Sequence, residues 1–266
     1  FSDVYQAPEA RRFGELFEKN PQKGLEAVQW SAYLTARELA VLGFTANCMP
    51  VADLLVKGAH SIIGDRAYSG DPHAVAALCA AAIKGAMAGG IWPVIKHAPG
   101  HGRAAVDSHD ELPYVAADRQ TLQDDLLPFK TNNQCPFVMT AHVTYPAFDS
   151  LCATTSSEVL DGVLRQACGM TGTFIADDMF MKALNGNLQT RIAKALNAGC
   201  DLVICGSSNI DGRFSEDMWQ QIEELNGAFA LKDQARERLA SLPPLPEKFD
   251  ISMEDAQQEL KRVMAA

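Results

Sequence analysis

Between Lys96 and His109 the chain concentrates groups that can move a proton. The segment reads Lys96-His97-Ala98-Pro99-Gly100-His101-Gly102, then four residues, then Asp107-Ser108-His109. It holds three of the chain's six histidines, together with a lysine and a carboxylate. Histidine titrates near neutrality, so it can give a proton and take it back within one cycle. Asp107 and His109 stand two apart in a glycine-containing loop. A carboxylate on the imidazole would fix the ring's tautomer and raise its basicity. The bland alternative is a polar surface loop. A further alternative is a metal site from His97, His101, Asp107 and His109. The charge of Lys96 opposes a cation there, so the dyad is preferred and no metal or other cofactor is assigned.

A second constellation is Phe174-Ile175-Ala176-Asp177-Asp178-Met179. Neighbouring side chains on a strand point to opposite faces, so one carboxylate can face a site while the other holds the local backbone. A carboxylate placed this way suits attack on an anomeric carbon. Alternatively, Asp178 caps the following turn and Asp177 is its solvated neighbour. A third segment, Ile63-Gly64-Asp65-Arg66-Ala67-Tyr68-Ser69, offers an arginine that could grip ligand hydroxyls. By itself it reads equally well as a surface pair.

The elements that must position these groups alternate between helix and strand. Apolar residues at helical spacing predict helices over 8–19 and 23–42, with Gly43 as a stop. Asp71-Pro72 is an N-cap followed by proline at the first helical position, opening a helix that runs to Gly89. Asp118 caps a short helix, and Thr155-Ser-Ser-Glu158 fits a capping box. A helix is predicted over 188–198, and helices broken by "LPPLPEKF" over 214–266. Short apolar runs at 44–51, 91–97, 137–143, 172–178 and 201–206 read as buried strands. This alternation predicts an α/β fold with a parallel sheet. Asp53, Lys96, His97, His142, Asp177 and Asp178 fall at strand C-termini, the edge where such folds bind ligands. The pattern does not separate a barrel from an open sheet.

The 266 residues suffice for one large domain. A net charge of −10 and no basic cluster argue against nucleic acid, and no segment is long and apolar enough to span a bilayer. The expected partner is a small molecule, with neither nucleic acid nor membrane. Seven scattered cysteines without a CxxC pair read as free thiols of a reducing compartment. With no signal-peptide pattern in residues 1–20, the expected localisation is cytoplasmic.

The motifs also resemble a known family. "KHAPGHG-x4-DSH" is similar to the long motif of the β-N-acetylglucosaminidase branch of glycoside hydrolase family 3. "FIADDMFMKAL" resembles that branch's nucleophile segment, and "NCMPVADL" with "GDRAYSGDP" its upstream sugar-binding segment. "VMTAHVTYPAFD" matches in place and order. The resemblance runs over roughly residues 1–205. It implies a TIM-like (β/α)8 barrel and a retaining exo-glycosidase that removes terminal N-acetylglucosamine from muropeptides in cytoplasmic peptidoglycan recycling. It implies Asp177 as nucleophile, His109 as acid/base and Asp107 as its dyad partner. Lys96, His97 and Arg66 would hold sugar hydroxyls, while Asp53 and His101 would be structural. Two N-terminal strands of the family, one with an Asp-Gln-Glu-Gly-Gly type motif, have no match here. The expectation is therefore one N-terminally truncated catalytic domain over 1–266 with a helical segment at 214–266. A weak carbohydrate-binding remnant and a phosphorolytic enzyme are the alternative outcomes.

Overall fold

The computed structural model describes residues 4–206, 214–246 and 249–265. Two helices open it, α1 (Ala10–Lys19) and α2 (Pro21–Val41). The break between them has a local cause. The Asn20 side chain accepts from the Lys23 amide at 3.2 Å, and Pro21 fills the first helical position. Gly43 leaves α2 with a φ of 85°, a conformation that favours glycine. Strands and helices then alternate: β1 (Ala46–Asn47), α3 (Pro72–Ala88), β2 (Trp92–Ala98), α4 (Leu122–Thr131), β3 (Phe137–Thr140), a π-type helix (Glu158–Ala167), β4 (Thr173–Asp178), α5 (Leu188–Ala198) and β5 (Leu202–Ile204). Three helices follow: α6 (Glu216–Glu224), α7 (Asp233–Ala240) and α8 (Met253–Met264).

The five strands are all parallel and lie side by side in sequence order. A doubly wound sheet would reverse its order at a switch point. Unreversed order with right-handed crossovers keeps every connecting helix on one side and curls the sheet in one sense, as in a barrel. The chain is thus an α/β domain built on a five-stranded, barrel-like sheet. Val41, Leu42 and Phe44, immediately before β1, are 80%, 68% and 55% exposed.

Several boundaries differ from expectation for identifiable reasons. The first strand shrinks from 44–51 to Ala46–Asn47 because Pro50 lacks an amide and the Met49 amide turns back to Asn47 O. Pairing with β2 continues irregularly through Val94 N to Met49 O and Ala52 N to Lys96 O. β3 stops at Thr140: the Ala141 amide still donates to Ala98 O, but the Ala141 carbonyl accepts from the Thr154 hydroxyl. The expected capping box does not form. Ser156, rather than Thr155, accepts from the Val159 amide, and Thr155 donates to Cys152 O. Glu247 and Lys248 of the expected helix break lie outside the described residues.

The C-terminal helices are fastened to the sheet and to α2. Buried Asp201, just before β5, accepts from Arg165 (3.0 Å), from Arg238 on α7, and from the Phe174 amide (2.8 Å). Arg165 also stacks on the Phe174 ring at 3.7 Å. On the α8 side, Tyr33 donates to Ile251 O, and Arg37 lies 3.7 Å over the Phe249 ring. Among the described residues no helix is long and apolar enough to cross a membrane.

Candidate active site

The C-terminal ends of β1, β2, β3 and β4 converge on a mouth whose floor is held by one buried carboxylate. Asp53 is fully buried. It accepts from His97 Nδ1 at 2.6 Å, the His97 amide at 3.3 Å and the His101 amide at 2.6 Å. Burial raises its carboxyl pKa, but the histidines and amides around it outweigh that and hold it below the ordinary carboxylate value. Asp53 thereby sets the orientation of His97 and ties the strand-end loop after β2 to the segment after β1.

The glycines of that loop meet close backbone. A Cβ on Gly102 would stand 2.0 Å from Leu54 O. Gly100 has a φ of 131°, packs on Asp125 and accepts through its carbonyl from the Tyr145 hydroxyl. Arg103 pairs with Asp125 on α4 at 2.6 Å, fixing the loop from outside. His101 is buried, which pushes its pKa down, and its Nε2 meets Ser108 Oγ at 3.0 Å. It is a brace between the two halves of the motif, with its Nδ1 unpartnered.

Beyond this brace stands the expected dyad. His109 Nδ1 lies 2.7 Å from Asp107 Oδ1, which also accepts from the His109 amide at 2.9 Å. Burial raises the Asp107 pKa, but the His109 amide and ring outweigh it and hold the carboxyl low. The His109 side chain is 51% exposed. With Nδ1 engaged, Nε2 is the nitrogen left to exchange a proton. The loop is tethered to the turn after β4, where the Lys182 amide donates to His109 O at 3.4 Å and Lys182 Nζ pairs with Asp110 at 3.1 Å. His60 also interacts electrostatically with Asp107. Its loop is bonded to Ala104 O, and its Nδ1 accepts from the Ile62 amide.

At the end of β4 the two adjacent carboxylates separate in function. Asp178 Oδ1 accepts from the Phe180 and Gly206 amides at 3.0 and 2.9 Å, so it does cap the turn. Asp177 is partly buried. Burial raises its pKa, but His97, His142, the Asp178 amide and Lys96 together hold it below the ordinary value. The Asp178 carboxyl is raised, chiefly by burial. Environment thus drives the pair apart and keeps Asp177 anionic. Asp177 Oδ1 accepts from the Asp178 amide at 2.8 Å, and among the described residues Oδ2 has no donor.

His142, buried at the end of β3, supports the same corner. Its Nε2 donates to Asp178 O at 3.1 Å, and its Nδ1 lies 2.9 Å from Thr154 Oγ1, the hydroxyl that also donates to Ala141 O. Burial holds its pKa down.

The structure therefore groups Asp177, His97 and Lys96, with Cys48 beside them, since the Cys48 thiol interacts electrostatically with both Lys96 and Asp177. His109 and Asp107 lie on the loop that Lys182 tethers to the turn after β4. The Arg66 guanidinium donates to Ile62 O at 2.5 Å and lines a cavity of about 730 Å³ against α1, α2 and residues 49–51, of which Val51 pairs with Lys96. The four residues of the alternative metal reading fall into two pairs, the His97 and His101 rings meeting at 5.8 Å and His109 lying on Asp107, with His97 bonded to Asp53 and His101 to Ser108. Among the described residues no group of three or more His, Cys, Asp or Glu is placed to hold a metal. Sequence reasoning passed over Cys48, His60 and the bracing role of His142. The only advance signal was their place at strand ends or beside the Gly-Asp-Arg segment.

The profile of the glycosyl hydrolase family 3 N-terminal domain matches residues 1–242. The chain belongs to this family. A β-hexosaminidase of Hydrogenovibrio crunogenus is 40% identical over 205 residues, covering 74% of this chain and 56% of that protein. A β-hexosaminidase of Thiobacillus denitrificans is 38% identical over the same length and shares. The chain thus spans little more than half the length of these curated relatives. Among solved structures, NagZ from Neisseria gonorrhoeae in complex with N-trifluoroacetyl-D-glucosamine superposes with a TM-score of 0.81 at 27% identity, covering 100% of this chain and 76% of that one. The β-N-acetylglucosaminidase from Thermotoga maritima gives 0.69 at 29% identity, covering 97% and 51%.

Proposed function

We propose that this chain is the catalytic part of a retaining exo-β-N-acetylglucosaminidase acting on N-acetylglucosaminyl muropeptides of cell-wall recycling. The observation that carries the reading is Asp177. It is a carboxylate kept anionic at a strand end by His97, His142 and Lys96, with one oxygen free, at the start of the turn to which the loop of the histidine–carboxylate dyad is bonded. The kinship with β-hexosaminidases supports the sugar class.

In this reading Asp177 Oδ2 attacks the anomeric carbon and forms the glycosyl–enzyme bond. The glycosidic C–O bond breaks, its electron pair goes to the leaving oxygen, and His109 Nε2–H supplies that oxygen's proton. Water then attacks the same carbon while His109 takes its proton back, and Asp177 leaves as carboxylate. Two inversions retain the β configuration. Asp107 stabilises the imidazolium whenever His109 is protonated. Lys96 and His97 bind sugar hydroxyls. Arg66 joins them only if a ligand or further chain bridges the cavity it lines. A neutral imidazole as base adds no second anion beside Asp177, so phosphate can also serve as acceptor. The free thiols fit a reducing compartment.

We also propose that strands outside this chain close the (β/α)8 barrel against β1, covering Val41, Leu42 and Phe44. The test uses the protein with its native upstream segment. An aryl β-N-acetylglucosaminide should be cleaved and the matching β-glucoside should not. Cleavage of neither removes the glycosidase reading and leaves the binding remnant. Release of a sugar phosphate in phosphate buffer identifies phosphorolysis.

A further inference from the structure

Asp107 is engaged through one oxygen only. Its Oδ1 accepts from both the His109 amide and His109 Nδ1, and among the described residues no donor is bonded to Oδ2. A carboxylate held by one oxygen can still turn about its Cβ–Cγ bond, and the imidazole on it turns too. An acid/base histidine that must meet a leaving oxygen in one geometry needs that second oxygen held.

His60 stands on the segment that backs this loop. Its amide donates to Ala104 O at 2.9 Å, three residues before Asp107 in the chain. Its Nδ1 accepts from the Ile62 amide at 3.1 Å, so the neutral ring carries its proton on Nε2. Among the described residues that Nε2–H has no acceptor. An unused donor and an unused acceptor thus lie on two segments bonded backbone to backbone, close enough for a charge on His60 to act on Asp107. The other charged groups of the two segments are engaged or exposed. Arg103 pairs with Asp125, Asp110 with Lys182, and Arg66 donates to Ile62 O. Lys57, Asp65 and Glu111 are exposed.

We propose that His60 is a positioning residue for the acid/base: its Nε2–H holds Asp107 Oδ2, directly or through one water, and completes a His60–Asp107–His109 line. His60 itself touches no substrate. With both oxygens held, Asp107 keeps the His109 ring fixed through Nδ1, and His109 Nε2 stays where the leaving oxygen needs its proton. The same side chain accepts from the amide of Ile62, whose carbonyl holds Arg66, so His60 also connects the Arg66 segment with the acid. The proposal rests on the glycosidase reading for its effect on turnover.

His60→Asn is the discriminating variant. Asparagine can accept from the amide two residues on, as the imidazole does, so the turn to Ile62 is kept. Its shorter side chain has no ring to reach Asp107. In the full-length protein, kcat/KM for an N-acetylglucosaminyl disaccharide should fall by about two- to fivefold, the scale of an exposed ion pair. For an aryl β-N-acetylglucosaminide, whose phenolate leaves with little proton assistance, kcat/KM should hold, and Tm should hold with it. Equal losses on both substrates, or no loss on either, overturn the positioning role. Titration of the His109 ring by NMR reads the same line without turnover. Removing a donor from Asp107 makes that carboxylate a stronger acceptor, so His109 should take up its proton at higher pH in His60→Asn than in wild type. The difference should vanish when Asp107→Asn is present in both. An unchanged His109 titration, or a shift that survives Asp107→Asn, overturns the proposal. If wild type cleaves no glycoside, the glycosidase reading fails by itself, and the titration still decides whether His60 acts on the dyad.

Discussion

Replacing Asp53 by alanine removes the acceptor on which the site's floor depends. Three donors converge on this fully buried carboxylate: the His97 ring, the His97 amide and the His101 amide. Each buried donor left without a partner costs about 1–3 kcal/mol. The 3.3 Å contact from the His97 amide is the weakest of the three, so the two short bonds dominate. The expected loss is about 3–5 kcal/mol, the range found when one partner of a buried pair is removed. For a domain of this size that lowers Tm by about 10 °C. Asp53→Asn should cost roughly half as much. Its carbonyl can still accept from His101, and His97 can turn its tautomer to accept from the new amide. Urea unfolding of the three proteins reads this directly, provided the slopes agree. The folded-state pKa of Asp53 is depressed, so its contribution is present above the ordinary carboxylate value and is lost as pH falls through the lowered one. The gap between wild type and Asp53→Ala should therefore close in acid, below about pH 4. A loss under 1 kcal/mol at neutral pH, or a gap that widens in acid, refutes the role given to Asp53.

Other consequences are open to direct measurement. His109→Ala should reduce turnover of sugar leaving groups by about 10²–10⁴-fold and of aryl glycosides much less, because a phenolate needs little proton assistance. Equal losses on both argue against an acid role. Since Asp177 is held below the ordinary carboxylate value, the acid limb of kcat/KM should lie below about pH 4, with activity lost as pH falls through it. An Asp177-dependent limb near pH 6 contradicts the environment described. Asp201→Ala strands Arg165 and Arg238 and frees α7, so calorimetry should show a destabilisation of about 3–5 kcal/mol. An unchanged Tm would mean that α7 is held elsewhere.

Much of this arrangement could be read from local pattern. The α3 start at Asp71-Pro72 and the α5 span of 188–198 followed from capping chemistry and helical spacing. The five strands followed from short apolar runs, and the His109–Asp107 contact from a two-residue spacing that a loop readily closes. What sequence could not show depends on contacts across the fold. Asp53 and His97 are 44 residues apart, and nothing local marks Asp53 as the acceptor that orients the histidine. The separation of Asp177 from Asp178 comes from His97 and His142, which outweigh burial at Asp177, and from burial, which raises Asp178. Strand ends were read too long wherever a proline or a side-chain contact diverted the ladder, as at Pro50. Arg66 entered the site through the family resemblance, and its side chain lines the cavity bounded by residues 49–51.

The most direct test of Asp177 as nucleophile is to trap the full-length protein with a slow fluorinated N-acetylglucosaminyl substrate and map the adduct by peptide mass spectrometry. The expected result is one added sugar on the peptide carrying Asp177–Asp178, fragmented to Asp177, and no adduct in Asp177→Ala. A sugar on any other carboxylate, or turnover that inverts the anomeric configuration without an adduct, contradicts it.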